Sequence, residues 1–157
     1  MRSVLAKMSE AEAKIEHQSV LDIIPIRYPF VMIDKIVERS TEHSICIKNV
    51  SHSEEVFVGH FPGLPILPGT LITEGMAQTC GVLMQYIEQT EFAQGLLVGL
   101  DKVRFRRQVI PGDQLVFHAR LQKARGGLYK FEADAKIDGE LVAEADITLM
   151  KAPEEMT

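Results

Sequence analysis

Residues 59–89 read GHFPGLPILPGTLITEGMAQTCGVLMQYIEQ. The first third is punctuated by Pro62, Pro65 and Pro68 and by Gly63 and Gly69, the residues that mark loops. From Thr70 to about Gln89 the prolines stop. Met76, Cys80, Leu83, Met84 and Ile87 recur at i, i+4, i+7, i+8 and i+11, the spacing of a buried helical stripe. The opposite side is hardly polar, because Glu74 is the only charged residue between Thr70 and Ile87. A helix apolar on nearly all sides must be covered on most of them.

The cover comes from the rest of the chain. Phe30 to Glu38 and Ser44 to Val50 are rich in Val and Ile and read as strands. Leu96 to Arg106 is a third such run. Leu115, Phe117, Ala119 and Leu121 alternate with polar residues, as do Phe131 to Ile137 and Leu141 to Leu149, which predicts strands with one buried face. Asp138-Gly139 is a hairpin signal. Arg125 to Gly127 and Pro111-Gly112 mark further turns. Ser19 is placed to cap a short helix that Pro25 would end, and residues 3–16 read as a peripheral helix rich in Ala, Glu and Lys. One long helix with five or six mostly antiparallel strands is an α+β arrangement.

The chain has 157 residues, 46% hydrophobic and 25% charged, with a net charge of −5. One domain over residues 1–157 is expected at this length. Two cysteines, Cys46 and Cys80, outside any CxxC or Cys/His cluster, argue against a disulfide scaffold and a structural zinc site. The acidic balance argues against nucleic acid as a partner. Lys7 and Glu10 interrupt any signal-peptide core. The longest uncharged stretch, Val56 to Thr73, holds three prolines and cannot span a membrane as a helix. A cytoplasmic setting is the expectation.

Three features of the central stretch bear on chemistry. A carboxylate on an apolar helix is costly unless it is paired or protonated. Glu74 stands in that position, with Gln78 one turn on and Gly81 beyond it on the same side. The bland alternative is a first-turn glutamate favoured by the helix dipole. His60 sits between glycine and proline residues that fix its backbone, and histidine is the commonest general base, although a lone histidine is more often structural. Gly69 opens the helix, where free N–H groups favour negative charge and the missing side chain admits a ligand oxygen. A base, an acid and an oxyanion donor suit proton abstraction beside a carbonyl without metal or cofactor.

These residues resemble the (3R)-hydroxyacyl-acyl-carrier-protein dehydratases of bacterial type II fatty acid synthesis. The likeness is carried by Gly59 to Gly69, by Leu71-Ile72-Thr73-Glu74-Gly75-Met76-Ala77-Gln78, by Arg27-Tyr28-Pro29-Phe30 with Asp34, by Asp101 to Arg106, and by Pro111-Gly112-Asp113. It implies a hotdog fold, an antiparallel sheet wrapped around a central helix. It implies a homodimer with composite sites, often assembled as a trimer of dimers. His60 would be the catalytic base, Glu74 the catalytic carboxylate, Gly69 the backbone donor to the thioester oxygen, and Gln78 the residue orienting Glu74 or a water. The implied reaction gives a trans-2-enoyl thioester. Glu74, where related dehydratase-isomerases carry aspartate, favours dehydration alone. Ile26 stands where the family usually has histidine, and Leu64 where it is often basic or polar.

Phe61, Leu64, Ile66 and Leu67, with Met76, Leu83 and Met84, are candidates to line a substrate tunnel. Lys102, Arg104 and Arg106 alternate along one strand, which sets them on one face, with Arg107, Lys123 and Arg125 nearby. Such a stripe would meet an acidic acyl carrier protein bearing a phosphopantetheine arm, or would pair with neighbouring carboxylates. Competing readings are a hotdog thioesterase, a paralogous dehydratase of a specialised lipid or polyene pathway, and a non-catalytic carrier-binding module.

Overall fold

Gly69–Glu88 form one 20-residue helix, α1, at the place that the apolar spacing predicts. It is seen in a computed structural model of the chain that describes residues 19–89 and 94–153. Six strands surround it: β1 (Lys35–Arg39), β2 (His43–Asn49), β3 (Gly95–Phe105), β4 (Gln114–Arg125), β5 (Leu128–Ile137) and β6 (Glu140–Lys151). They form a single sheet in the order β1-β2-β4-β5-β6-β3, and every pairing is antiparallel. The α+β, sheet-around-helix expectation holds. Among the described residues no helix is long and apolar enough to cross a membrane.

The sheet's inner face is built by alternation. Phe117, Ala119, Phe131, Ala133, Ala135, Ala143, Ala145, Ile147 and Leu149 are buried, and α1 packs against their strands. Ala133 faces Ala145, and Ala135 faces Ala143. This run of small side chains lets the helix lie close to the sheet. The closest approach is at Gly75, where an added Cβ would stand 2.3 Å from Phe117 Cζ. Two hairpins use turns in the left-handed region: Asp138 and Gly139 at φ 51° and 82°, and Gly126 and Gly127 at 59° and 78°. That geometry matches the right-handed twist of the flanking strands.

Three local expectations are corrected. The first strand begins at Lys35, not Phe30, because Phe30 O and Met32 N bond to the Gln78 side chain on α1 and not to another strand. The segment after Ser19 is a 3-10 turn, Val20–Asp22, with the Ser19 hydroxyl accepting from Leu21 N. Strict alternation through β3 fails, because register shifts interrupt it at Leu97/Gly99 and at Asp101/Arg104, and Lys102 lies at φ 51°. The helix expected over residues 3–16 lies outside the described residues.

Candidate active site

His60 is fixed by the loop that carries it. A 3-10 turn, Glu55–Val58, precedes it. The His60 amide donates to Val56 O at 3.0 Å, and its carbonyl accepts from Ile66 N at 3.0 Å. Its Nδ1 lies 2.6 Å from Ile66 O. A carbonyl only accepts, so Nδ1 carries the proton, and in the neutral ring Nε2 is left as the acceptor. The Phe61 ring stacks on the imidazole, with centroids 4.1 Å apart. The turn is itself anchored by an ion pair absent from the sequence expectations. Lys48, buried on β2, holds Glu54 at 3.0 Å, while Glu54 Oε1 accepts from Ser51 N.

Gly69 is the first residue of α1, and first-turn amides have no acceptor within a helix. The Phe105 ring lies over it, 2.8 Å from where a Cβ would be, so glycine leaves the least obstructed backbone here. His60 and Gly69 line the same hollow, of about 530 Å³, with Ile66, Leu67, Thr70 and Phe105.

Glu74 faces elsewhere. It lines a smaller hollow of about 90 Å³ with Ala77, Gln78 and Gly81 on one side, and residues 23–26, Leu97 and Leu149 around them. Burial pushes its carboxyl above the usual range, and the Gln78 amide, donating to Oε1 at 2.9 Å, pulls the other way. The same amide donates to Phe30 O at 2.7 Å and accepts from Met32 N at 2.8 Å. A group stabilised in its protonated form, beside an oriented amide, is equipped to give a proton.

Of the tunnel candidates, Ile66 and Leu67 border the His60 hollow. Phe61 and Leu64 are exposed, while Met76, Leu83 and Met84 are sealed in the core. They do not converge on one channel within the chain. The basic residues do converge, through the irregularity in β3, on carboxylates of the sheet's outer face. Lys102 pairs with Asp146 at 2.8 Å, Arg106 with Glu144, and Arg107 with Glu140 at 2.9 Å. The Arg104 guanidinium donates to Val103 O. The outer face also holds Asp134, ringed by Arg120 at 2.9 Å, His118 at 3.0 Å and Lys136 at 3.3 Å. Burial pushes its carboxyl up, and Arg120 first, with His118 and Lys136, outweighs the burial and holds it below its ordinary value. A groove on that outer face is bordered by Lys102 of the basic stripe, and not by His60, Gly69, Glu74 or Gln78. Among the described residues no group of three His, Cys, Asp or Glu is placed to hold a metal ion.

Residues 24–146 match the FabA-like domain family. The chain belongs to the FabA-like family. Among its FabA-like relatives is a 3-hydroxyacyl-[acyl-carrier-protein] dehydratase FabZ of Sinorhizobium fredii, 48% identical over 136 residues, which are 85% of this chain and 87% of the relative. The dehydratase of the same name from Rhizobium rhizogenes is 46% identical over 146 residues, 92% of each chain. The fold is shared with the dehydratase heterocomplex ApeI:P from Xenorhabdus doucetiae, at a TM-score of 0.75 and 21% identity over 88% of this FabA-like chain and 94% of that one.

Proposed function

We propose that the chain is a 3-hydroxyacyl-[acyl-carrier-protein] dehydratase, a hydro-lyase that converts a (3R)-3-hydroxyacyl thioester to the trans-2-enoyl thioester. The observation that carries the residue assignment is the His60 ring, whose Nδ1 is committed to Ile66 O at 2.6 Å and whose Nε2 is the acceptor, in a hollow shared with Gly69. His60 Nε2 takes the C2 proton. The C2–H electron pair forms the new double bond, and the C3–O bond breaks. Glu74 gives its proton to the departing hydroxyl, which leaves as water, and Gln78 holds the carboxyl in place. The Gly69 N–H meets charge developing on the thioester oxygen, a contribution of about 2.7–4 kcal/mol for a preorganised donor.

His60 and Glu74 border separate hollows of one chain. This supports a site completed by a second copy, with His60 of one subunit facing Glu74 of the other. β3 ends the sheet and exposes Leu97, Val98, Leu100 and Phe105, an unpaired apolar edge of the kind that another chain covers. The substrate is carried on acyl carrier protein, and of Lys102, Arg104 and Arg106 it is Arg104 that forms no ion pair with a carboxylate among the described residues.

The test is turnover of a short 3-hydroxyacyl carrier-protein thioester followed by mass. Wild type should lose one water. His60→Ala and Glu74→Gln should each be slower by about 10²-fold or more, the range for a lost general acid or base. Release of free thiol and acid would make the chain a thioesterase. Full-speed dehydration by His60→Ala would remove His60 from the reaction.

A further inference from the structure

The hollow beside Glu74 is polar at one end only. Glu74 and Gln78 supply its side-chain polar groups, and the rest is Ile23, Ile24, Pro25, Ile26, Ala77, Leu97 and Leu149 with two glycines. Glu74, Ala77, Gln78 and Gly81 fall at i, i+3, i+4 and i+7, so they form one face of α1. That face carries a carboxylate, a methyl, an amide and, at Gly81, no side chain. At Gly81 a Cβ would meet nothing within 4 Å. Gly75 on the same helix is different, because there a Cβ would strike Phe117. Helix packing on the sheet therefore explains Gly75 and leaves Gly81 unexplained. Glycine inside a helix is destabilising against alanine, so an empty position at 81 has a cost without a packing return.

We propose that Gly81 is a specificity-determining residue. Its missing side chain leaves room for the acyl carbons beyond C3, and the 23–26 segment forms the facing wall. This deepens the dehydratase reading and rests on it. The hollow measures about 90 Å³. At that size one or two added methyl groups decide what fits. The wall opposite is braced within itself by Arg27, which donates to the carbonyls of Ile24 and Ile26 at 2.8 and 2.9 Å, and the chain that follows it is tied to the catalytic face by Gln78, whose amide binds Phe30 O and Met32 N. A wall tied down in this way cannot retreat freely from a bulkier residue 81.

The experiment measures kcat/KM on carrier-bound 3-hydroxy substrates of short, medium and long chain, for wild type, Gly81→Ala, Gly81→Val and Ile26→Ala. The quantity read is the ratio of long-chain to short-chain kcat/KM. That ratio should fall stepwise from wild type to Gly81→Ala to Gly81→Val, by tenfold or more at valine, and should rise in Ile26→Ala, which enlarges the same space from the other side. Size-exclusion elution and thermal melting accompany each variant. Should Gly81→Val fail to fold, Gly81→Ala and Ile26→Ala still move the ratio in opposite directions. Equal losses at every chain length, or an unmoved ratio in these variants, would overturn the proposal. Wild type that dehydrates no chain length would instead overturn the dehydratase reading.

Discussion

Gln78 makes three hydrogen bonds from one amide, and they serve two purposes. One orients the Glu74 carboxyl, and two hold the 30–32 segment against α1. Gln78→Ala should therefore have two separable effects. Leaving the buried Met32 N and the half-buried Phe30 O unpaired should destabilise the fold by about 1–3 kcal/mol, the cost of one unpaired buried group, measured by urea denaturation. A loss within about 0.5 kcal/mol, the scale of an ordinary surface change, would mean that the clamp contributes nothing. Removing the donor should also move the Glu74 limb of the pH–rate profile upward, since that hydrogen bond favours the ionised form. Glu74 makes a second prediction. Burial holds its carboxyl above the usual range, so the folded protein keeps a proton that the unfolded chain has already released. Stability then falls as pH rises from the ordinary carboxylate range through the folded value. Glu74→Gln does not titrate, so its melting temperature relative to wild type should climb between about pH 4 and pH 8. A constant difference across that range would show that Glu74 has the same proton affinity folded and unfolded. Glu74 and Gln78 were legible in the sequence as an isolated carboxylate with an amide one turn on. The partners of Gln78 were not, because Phe30 and Met32 lie 48 and 46 residues away and no periodicity connects them.

The same amide explains why β1 starts at Lys35 although strand-like composition begins at Phe30. Val31, Met32 and Ile33 have strand-like composition, but composition reports burial, and Met32 and Ile33 are indeed buried. The main chain there bonds to a side chain on the helix, so no ladder forms until Lys35. Strands β4, β5 and β6 were readable because one face is apolar core and the other is water or charge, and period-two patterning records that difference directly. β3 was readable as an element but not in its register, because bulges shift the alternation without a signal in composition. At α1 the close approach to β4 gives a test. Gly75→Ala gains helix propensity of about 1 kcal/mol, yet its Cβ would stand 2.3 Å from Phe117 Cζ. Overpacking should win, with a net destabilisation of about 1–3 kcal/mol. Phe117→Leu in the same chain should recover much of it, as coupling between residues in contact. A Gly75→Ala variant as stable as wild type in urea would mean that the helix can lift from the sheet without loss.

At the scale of the whole molecule, the proposed base and the proposed acid border different hollows of one chain. The hollow bordered by His60 and Gly69 is distinct from the one bordered by Glu74 and Gln78. No reading of spacing along the sequence could show this, because His60 and Glu74 are only one loop and one helical turn apart. What separates them is the direction in which the loop and the helix face present them. The composite-site proposal makes a prediction that no single-chain site can satisfy. His60→Ala and Glu74→Gln should each be nearly inactive alone. Co-refolded in equal amounts, they should form mixed dimers in which one of the two sites draws an intact His60 from one subunit and an intact Glu74 from the other. With random pairing in a two-fold dimer, activity should return to at most about a quarter of wild type. It should scale with the fraction of mixed dimer, measured by tagging one variant and isolating the doubly composed species. The double variant His60→Ala/Glu74→Gln paired with wild type supplies the control. Its mixed dimer has one defective residue in each site and should be nearly inactive, whereas sites lying within single chains would leave it half active. If the co-refolded single variants stay inactive while mixed dimers are isolated in quantity, each chain completes its own site. The separation of the two hollows would then have to be closed by movement within one subunit.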